Sequence, residues 1–221
     1  MANGWWNDNG AISGTVAAYQ PIGAASLAAS YSNLFSPGTN DAAPGTAPTF
    51  NTAGGWIFNG TTQWLDTGIT RGSGYTMIVR VYATGDGVPM GGSDTRIVFM
   101  RVRGGDVVFI NAAGQQIIVA PNALNVEVVL GMAGMVCYRA GVTTGTISGS
   151  DGGGAPISFG MSKTSIRPCA CTIRAAAVYS GTLTGAQMAT ISGYMSNLPT
   201  LPTWGNPAMM RAKMAQKMGR R

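Results

Sequence analysis

Apolar side chains recur at every second position along residues 75–139, in short runs broken by glycine. Met77, Val79 and Val81 share one face of a run over 75–83, and Ile78, Arg80 and Tyr82 share the other. A second run covers 96–103, and others cover 107–111 and 116–120. Val126, Val128, Leu130 and Met132 form a further row, which residues 135–139 close as a hairpin after Gly134. Short strands at this spacing, parted by turn residues, predict an antiparallel sandwich or barrel. More strands are expected at 143–148, 157–162 and 171–178, and before them at Trp56–Ile57–Phe58, which ends in the turn pair Asn59-Gly60. No strand–helix alternation is visible, so a parallel sheet is not expected.

One helix is expected. Thr184 and Gln187 have the spacing of a capping box, Met188, Ile191 and Met195 form a helical stripe, and Pro199 and Pro202 stop it. The fold class is therefore all-β, with one short C-terminal helix and extended terminal arms. Residues 1–49 read as an arm and loops lying on the sandwich, with an edge strand at Val16–Tyr19 and a loop over 36–45. Residues 50–198 form the domain, and 199–221 a tail.

The chain has no His and a single Glu, Glu127, with seven scattered Asp. That removes the His-based triad and the Cys–His pair. Glycosidase work needs two carboxylates across the scissile bond, and Glu127 has no acidic neighbour within ten residues. Glu127 reads as a surface residue of its strand, and the chain is expected not to be an enzyme. The three Cys, at 137, 169 and 171, are odd in number and read as buried free thiols. No metal or cofactor is expected. The first residues, MANGWWNDNG, carry no basic leader, and no apolar run is long enough to span a membrane. Synthesis in a cytosol without membrane association is expected.

The net charge of +6 is uneven. Arg211, Lys213, Lys217, Arg220 and Arg221 follow Trp204, which leaves nine basic and eight acidic residues elsewhere. A nearly neutral domain with a basic tail does not read as a nucleic-acid binder. The tail also carries Met209, Met210, Met214 and Met218. Met210, Arg211, Lys213, Met214, Lys217, Met218, Arg220 and Arg221 are candidates for contact with a neighbouring subunit. Trp5 and Trp6 join them, because burial in a polar terminus would need another surface. Trp56 and Trp64 read as core or sheet-face residues. Trp64, with Asp86, Asp94 and Arg96 around the 85–95 loop, is also a candidate ligand rim.

The segment GGWIFNGTTQWLDTGI (54–69) resembles the entry strands of concanavalin-A-like, or laminin-G-like, jelly rolls. ACTIRAAAVYSGTLTGAQMATI (170–191) is similar to that family's closing strand and the Leu-Thr/Ser-x-x-Gln/Glu turn into a short helix. The lead-in AAYQPIGAASLAASYSNLFSPGTNDAAPGTAPTF resembles that of small bacteriophage structural proteins. The resemblance implies a two-sheet antiparallel jelly roll. It also implies a virion structural protein, as head decoration, tail or fibre subunit, homo-oligomeric among other virion subunits at the particle surface and binding host-surface glycans. The alternative is a free carbohydrate-binding, lectin-like module. One departure stands out: the family's hydrolases carry a Glu-x-Asp-x-x-Glu strand, and this chain has none.

Overall fold

The computed structural model describes residues 4–92, 99–110, 116–119, 123–149, 154, 156–161 and 167–198. Its strands are β1 (Thr15–Tyr19), β2 (Ala43–Thr46), β3 (Thr49–Asn51), β4 (Gly55–Asn59), β5 (Trp64–Thr70), β6 (Thr76–Ala83), β7 (Gly87–Gly91) and β8 (Phe99–Arg103). β9 (Asp106–Ile110), β10 (Gln116–Val119), β11 (Glu127–Ala133), β12 (Val136–Arg139), β13 (Val142–Thr146), β14 (Pro156–Phe159) and β15 (Ala170–Tyr179) follow. A one-turn helix α1 (Leu27–Ser30) and the longer α2 (Gly185–Asn197) complete the elements, with a short 3-10 segment at Trp5–Gly10.

The strands build two antiparallel sheets, as the alternating runs predict. One has the order β13-β12-β11-β6-β15-β4-β3, with β1 also paired to β15. The other has the order β10-β9-β8-β7-β14-β5-β2. β15 is the organising strand of the first sheet. Its whole length pairs with β6, and its far edge is shared by β4 over Ala170–Ile173 and β1 over Ala176–Tyr179.

Between the sheets lies an aromatic knot. The Phe159 ring centroid is 5.4 Å from that of Trp56 and 5.5 Å from that of Tyr19, edge to face in the second case. Trp56 is fully buried, and its indole N–H donates to Ser30 Oγ at 2.7 Å, which satisfies that ring's one polar group. Met77, Val79, Val81, Leu130, Met132, Met100, Val102 and Phe109 extend the same core.

The other face of β6, β11 and β15 is covered as well. Ile78, Val129, Ala175 and Ala177 pack beneath Met188, Ile191 and Met195 of α2. Gly131 permits the contact, because a Cβ there would lie 2.3 Å from Met188 Cε. Thr184 caps α2, accepting from Gln187 N, and the Gln187 side chain accepts from Thr184 N at 2.9 Å.

Three readings change. Residues 85–95 were expected as a loop, but β7 runs through them at the centre of the second sheet with all five residues buried. Gly and Pro hide it: a register shift between Gly87 and Met90 lets Pro89, which has no N–H, sit inside a sheet. Gly87 is required there, with φ at 144° and the position of a Cβ only 2.2 Å from Pro168 O. The end of the expected 36–45 loop is strand β2, an exposed edge that tolerates Pro44. The N-terminal segment was expected to lie on the sandwich as an arm, yet Ala17, Ala18, Tyr19 and Ile22 are fully buried. Buried Asn33 welds its loop to β1, accepting from Ala18 N at 3.0 Å and donating to Val16 O at 3.1 Å and Thr39 O at 2.8 Å. Replacing Asn33 with Ala strands those backbone groups, and the expected loss is about 2–3 kcal/mol in denaturant unfolding.

Cys137, Cys169 and Cys171 are free and buried. Burial pushes the Cys137 thiol from its ordinary 9.0 up to about 12, and burial, together with a hydrogen bond donated to Cys169, holds Cys171 well above its ordinary value. A thiol that keeps its proton when folded and loses it when unfolded favours the unfolded chain as pH rises. Tyr19 and Tyr179, raised chiefly by burial, act in the same direction. Melting temperature is therefore expected to fall as pH rises from about 9 towards 12, and native thiols are expected to label slowly at pH 8 and quickly in denaturant. A flat melting temperature over that interval, or fast native labelling, contradicts this.

Candidate functional site

The residues singled out from the sequence do not converge. Trp64 lies half-buried on β5, and Gly45 of β2 lies against its ring so closely that a Cβ there would be 2.0 Å from the indole Cε2. Asp86 precedes β7, across β14 from β5. Its two carboxylate oxygens accept from Gly104 N at 2.8 and 2.9 Å, which clamps the β8–β9 turn. Asp94 and Arg96 lie outside the described residues, as do Met210, Arg211, Lys213, Met214, Lys217, Met218, Arg220 and Arg221.

Trp5 and Trp6 need correction. Their burial was expected to require another surface, but both fold back on this chain. Trp6 is 7% exposed within the cluster under α2. Its carbonyl accepts from Tyr179 Oη at 2.7 Å, and the Trp5 indole N–H donates to Gln20 at 3.0 Å. Tyr194 of α2 donates to Asp8 at 2.7 Å, fastening the same segment to the helix. The missing signal was long-range: Tyr179 and Tyr194 meet residues 5–8 only after the sandwich forms.

The side chains that do converge surround the chain's one glutamate. Arg80 projects from β6 into the face covered by α2 and is 9% exposed. Its Nη1 donates to Met195 O at 2.8 Å and Leu198 O at 3.1 Å, the carbonyls that end α2. A cation there offsets the unpaired acceptors and the negative end of the helix dipole. The Arg80 Nε donates to Glu127 Oε1. Glu127 stands on β11 two residues from Val129, the cross-strand partner of Arg80, so the pair is a same-face diagonal.

Arg174 reaches the other carboxylate oxygen, with Nε 3.0 Å from Oε2. It is the extra residue at the β15 bulge between Ile173 and Ala175, and a bulge re-aims a side chain out of the regular alternation. Glu127 is thus held by two guanidiniums from two neighbouring strands, with its side chain still 31% exposed. A lone surface glutamate was expected, and its environment is what the sequence did not reveal. The available signal was Arg80 itself, a charge between Ile78 and Tyr82 in a row that had to be covered.

Around this carboxylate is a cleft of about 340 Å³, lined by Arg80, Glu127, Val128, Val129, Arg139, Ala140 and Ser196. That volume lies at the small end for a ligand site. Glu127 is the single carboxylate among these lining residues, beside two guanidiniums, one hydroxyl and a short apolar wall. The arrangement can accept and donate hydrogen bonds in fixed directions. Replacing Arg80 with Ala is expected to cost about 1.5–3 kcal/mol, as for charged hydrogen bonds, and to speed amide exchange in the last turn of α2. Unchanged exchange there would contradict its role as the helix-end donor.

No protein-family model matches the sequence, and no curated protein matches it. Solved structures do share the fold. The chain is similar to the Trypanosoma rangeli sialidase in complex with sialic acid, with a TM-score of 0.61 at 14% identity over 85% of this chain. It spans 34% of that enzyme's length. It is similar to domain 4 of AbnA, an extracellular arabinanase of Geobacillus stearothermophilus solved with arabinotriose, with a TM-score of 0.60 and 14% identity, covering 80% of this chain and 98% of that domain. The binding domain of Paraclostridial Mosquitocidal Protein 1 gives a TM-score of 0.59 at 10% identity, covering 83% of this chain and 53% of that one. At such identities the likeness is one of architecture: this chain is a two-sheet antiparallel jelly-roll sandwich with a single helix of more than one turn among its described residues.

Proposed function

We propose that this chain is a glycan-binding module that holds a sugar in the Glu127 cleft without cleaving it. The observation that carries the reading is the carboxylate clamped between Arg80 and Arg174 at the mouth of that cleft. A carboxylate whose direction is fixed before ligand arrives accepts hydrogen bonds from adjacent sugar hydroxyls without a further ordering cost. Arg139 and Ser196 supply donors on the rim, and Val128, Val129 and Ala140 give an apolar strip for the C–H face of a ring. The shared architecture with an arabinanase domain solved with arabinotriose supports the ligand class. The lining supports binding without turnover, because glycoside hydrolysis in its usual form needs two carboxylates across the bond and Glu127 is the one carboxylate among the lining residues.

A virion subunit was the first expectation from the resemblance, with the terminal arms as its candidate partner contacts. Trp5 and Trp6 are engaged by Gln20 and Tyr179 of their own chain, which removes the aromatic arm from that argument. The lectin-like reading is therefore the one the geometry favours.

The test is titration of oligosaccharides, arabinotriose included, into the wild type and two variants. Glu127→Gln removes the ionic acceptor and is expected to weaken binding about tenfold or more. Ser196→Trp fills the cleft from an exposed helix position, leaves the ion pairs in place and is expected to abolish binding. No reducing ends should be released in any sample. Wild-type affinity in Ser196→Trp removes the cleft from the function, and Glu127-dependent hydrolysis overturns the non-enzyme reading.

A further inference from the structure

The outer face of the second sheet carries cationic chemistry remote from α2. Arg101 and Arg103 stand two residues apart on β8, so they share a face at a spacing of roughly 7 Å. Their cross-strand partners on β9 are Val108 and Asp106. Val108 belongs to a small buried apolar cluster with Val88 and Ile110, separate from the core between the sheets, so the two arginines stand on the face turned away from that core. Ile118 of β10 pairs with Val108 and is 60% exposed. Arg167 reaches the same region from the other side of β7, where its carbonyl accepts from Val88 N at 3.0 Å.

The fields of these guanidiniums overlap. Burial lowers the proton affinity of Arg101 first, then Arg167 and Arg103 lower it further, against an opposing pull from Asp86. Asp86 is shared with the Gly104 turn through both its oxygens. Arg101 Nε is screened from solvent and has no hydrogen-bond partner. A charged donor shielded from water and without an acceptor is costly, and an anion held against the half-buried Arg101 guanidinium offsets part of that cost through its field. The planar fork of an arginine fits carboxylate and sulfate oxygens two at a time.

We propose that the outer face of β8–β10 binds an acidic polysaccharide, with Arg101 and Arg103 contacting its sulfate or carboxylate groups beside the exposed Ile118. A single-stranded nucleic acid is the other polyanion such a patch could hold. It is the competing occupant that the test has to separate, because stacking rings are what sequence-tolerant binding of bases uses and fixed arginine forks are what sulfate and carboxylate groups use. This site is separate from the Glu127 cleft and does not rest on that reading.

The experiment uses the full chain, so the basic residues after Trp204 are common to every sample. Heparin oligosaccharide is the sulfated probe, polygalacturonate the carboxylate-only probe and single-stranded DNA the competitor class. Arg103→Gln, at an exposed position, is expected to weaken heparin binding about threefold. Arg101→Gln/Arg103→Gln is expected to weaken it about tenfold or more, and to flatten the dependence of log K on log salt by about one unit per lost contact. Ser196→Trp, which blocks the cleft, should bind heparin as the wild type does. Retention of polygalacturonate assigns the contact to carboxylates, and its absence assigns it to sulfates. Where the double variant melts early, Arg103→Gln alone decides. Variants that bind heparin as tightly as the wild type, or a wild type that holds DNA more tightly than heparin, overturn the assignment.

Discussion

A guanidinium placed beneath a helix must find acceptors on every side, and Arg80 finds them on two other elements. It stands on β6, pairs with Glu127 on β11 and donates to the last carbonyls of α2. The placement of α2 over the first sheet depends on this arrangement as much as on Met188, Ile191 and Met195. Apolar contact sets that the helix lies down, but it is non-directional. Hydrogen bonds from one fixed fork to Met195 O and Leu198 O set where the helix ends. Arg174 closes the network from β15. The cleft is the space left where the helix stops and the carboxylate begins.

The two sheets solve the burial problem differently. β6, β11 and β15 are covered on both faces, by the second sheet on one and by α2 with the Trp5–Gly10 segment on the other. Their sequences accordingly show apolar residues in both alternating rows, with Ala175 and Ala177 opposite Ala176 and Val178. The second sheet has one face in the core and one turned outward. There polar and charged residues interrupt the apolar row, and Arg101 and Arg103 are its clearest marks. Its far edge, β2, is short, exposed and built on Pro44, a form that discourages pairing with other chains.

Both proposed ligand surfaces follow from these burial patterns. On the covered face a charge is tolerated only when it is paired, and the pairing orients Glu127 towards solvent. On the open face charges can gather without full pairing, and Arg101 keeps an unsatisfied Nε. The first surface suits neutral hydroxyls, which need directed acceptors. The second suits anions, which need fields and forks.

The period-2 rows at Met77–Val81 and Val128–Met132, the turns at Asn59-Gly60 and Gly134, and the box Thr184–Gln187 are local signals. Each element's hydrogen bonds and exposed face are decided within a few residues, so an antiparallel sandwich with one C-terminal helix was legible in the sequence. β7 was not legible, because Gly87 and Pro89 oppose strand formation locally and are accepted only where Pro168 and β14 approach. Nor was the fate of Trp5 and Trp6 legible, since Gln20 and Tyr179 reach them only in the folded chain. The sequence by itself determined that Glu127 is the one glutamate, with no acidic neighbour within ten residues, and that no histidine chemistry is available. Tertiary structure alone decided that Glu127 sits between Arg80 and Arg174, because a bulge in β15 and a diagonal between β6 and β11 join residues 47 positions apart, and no local pattern encodes a contact made across three strands.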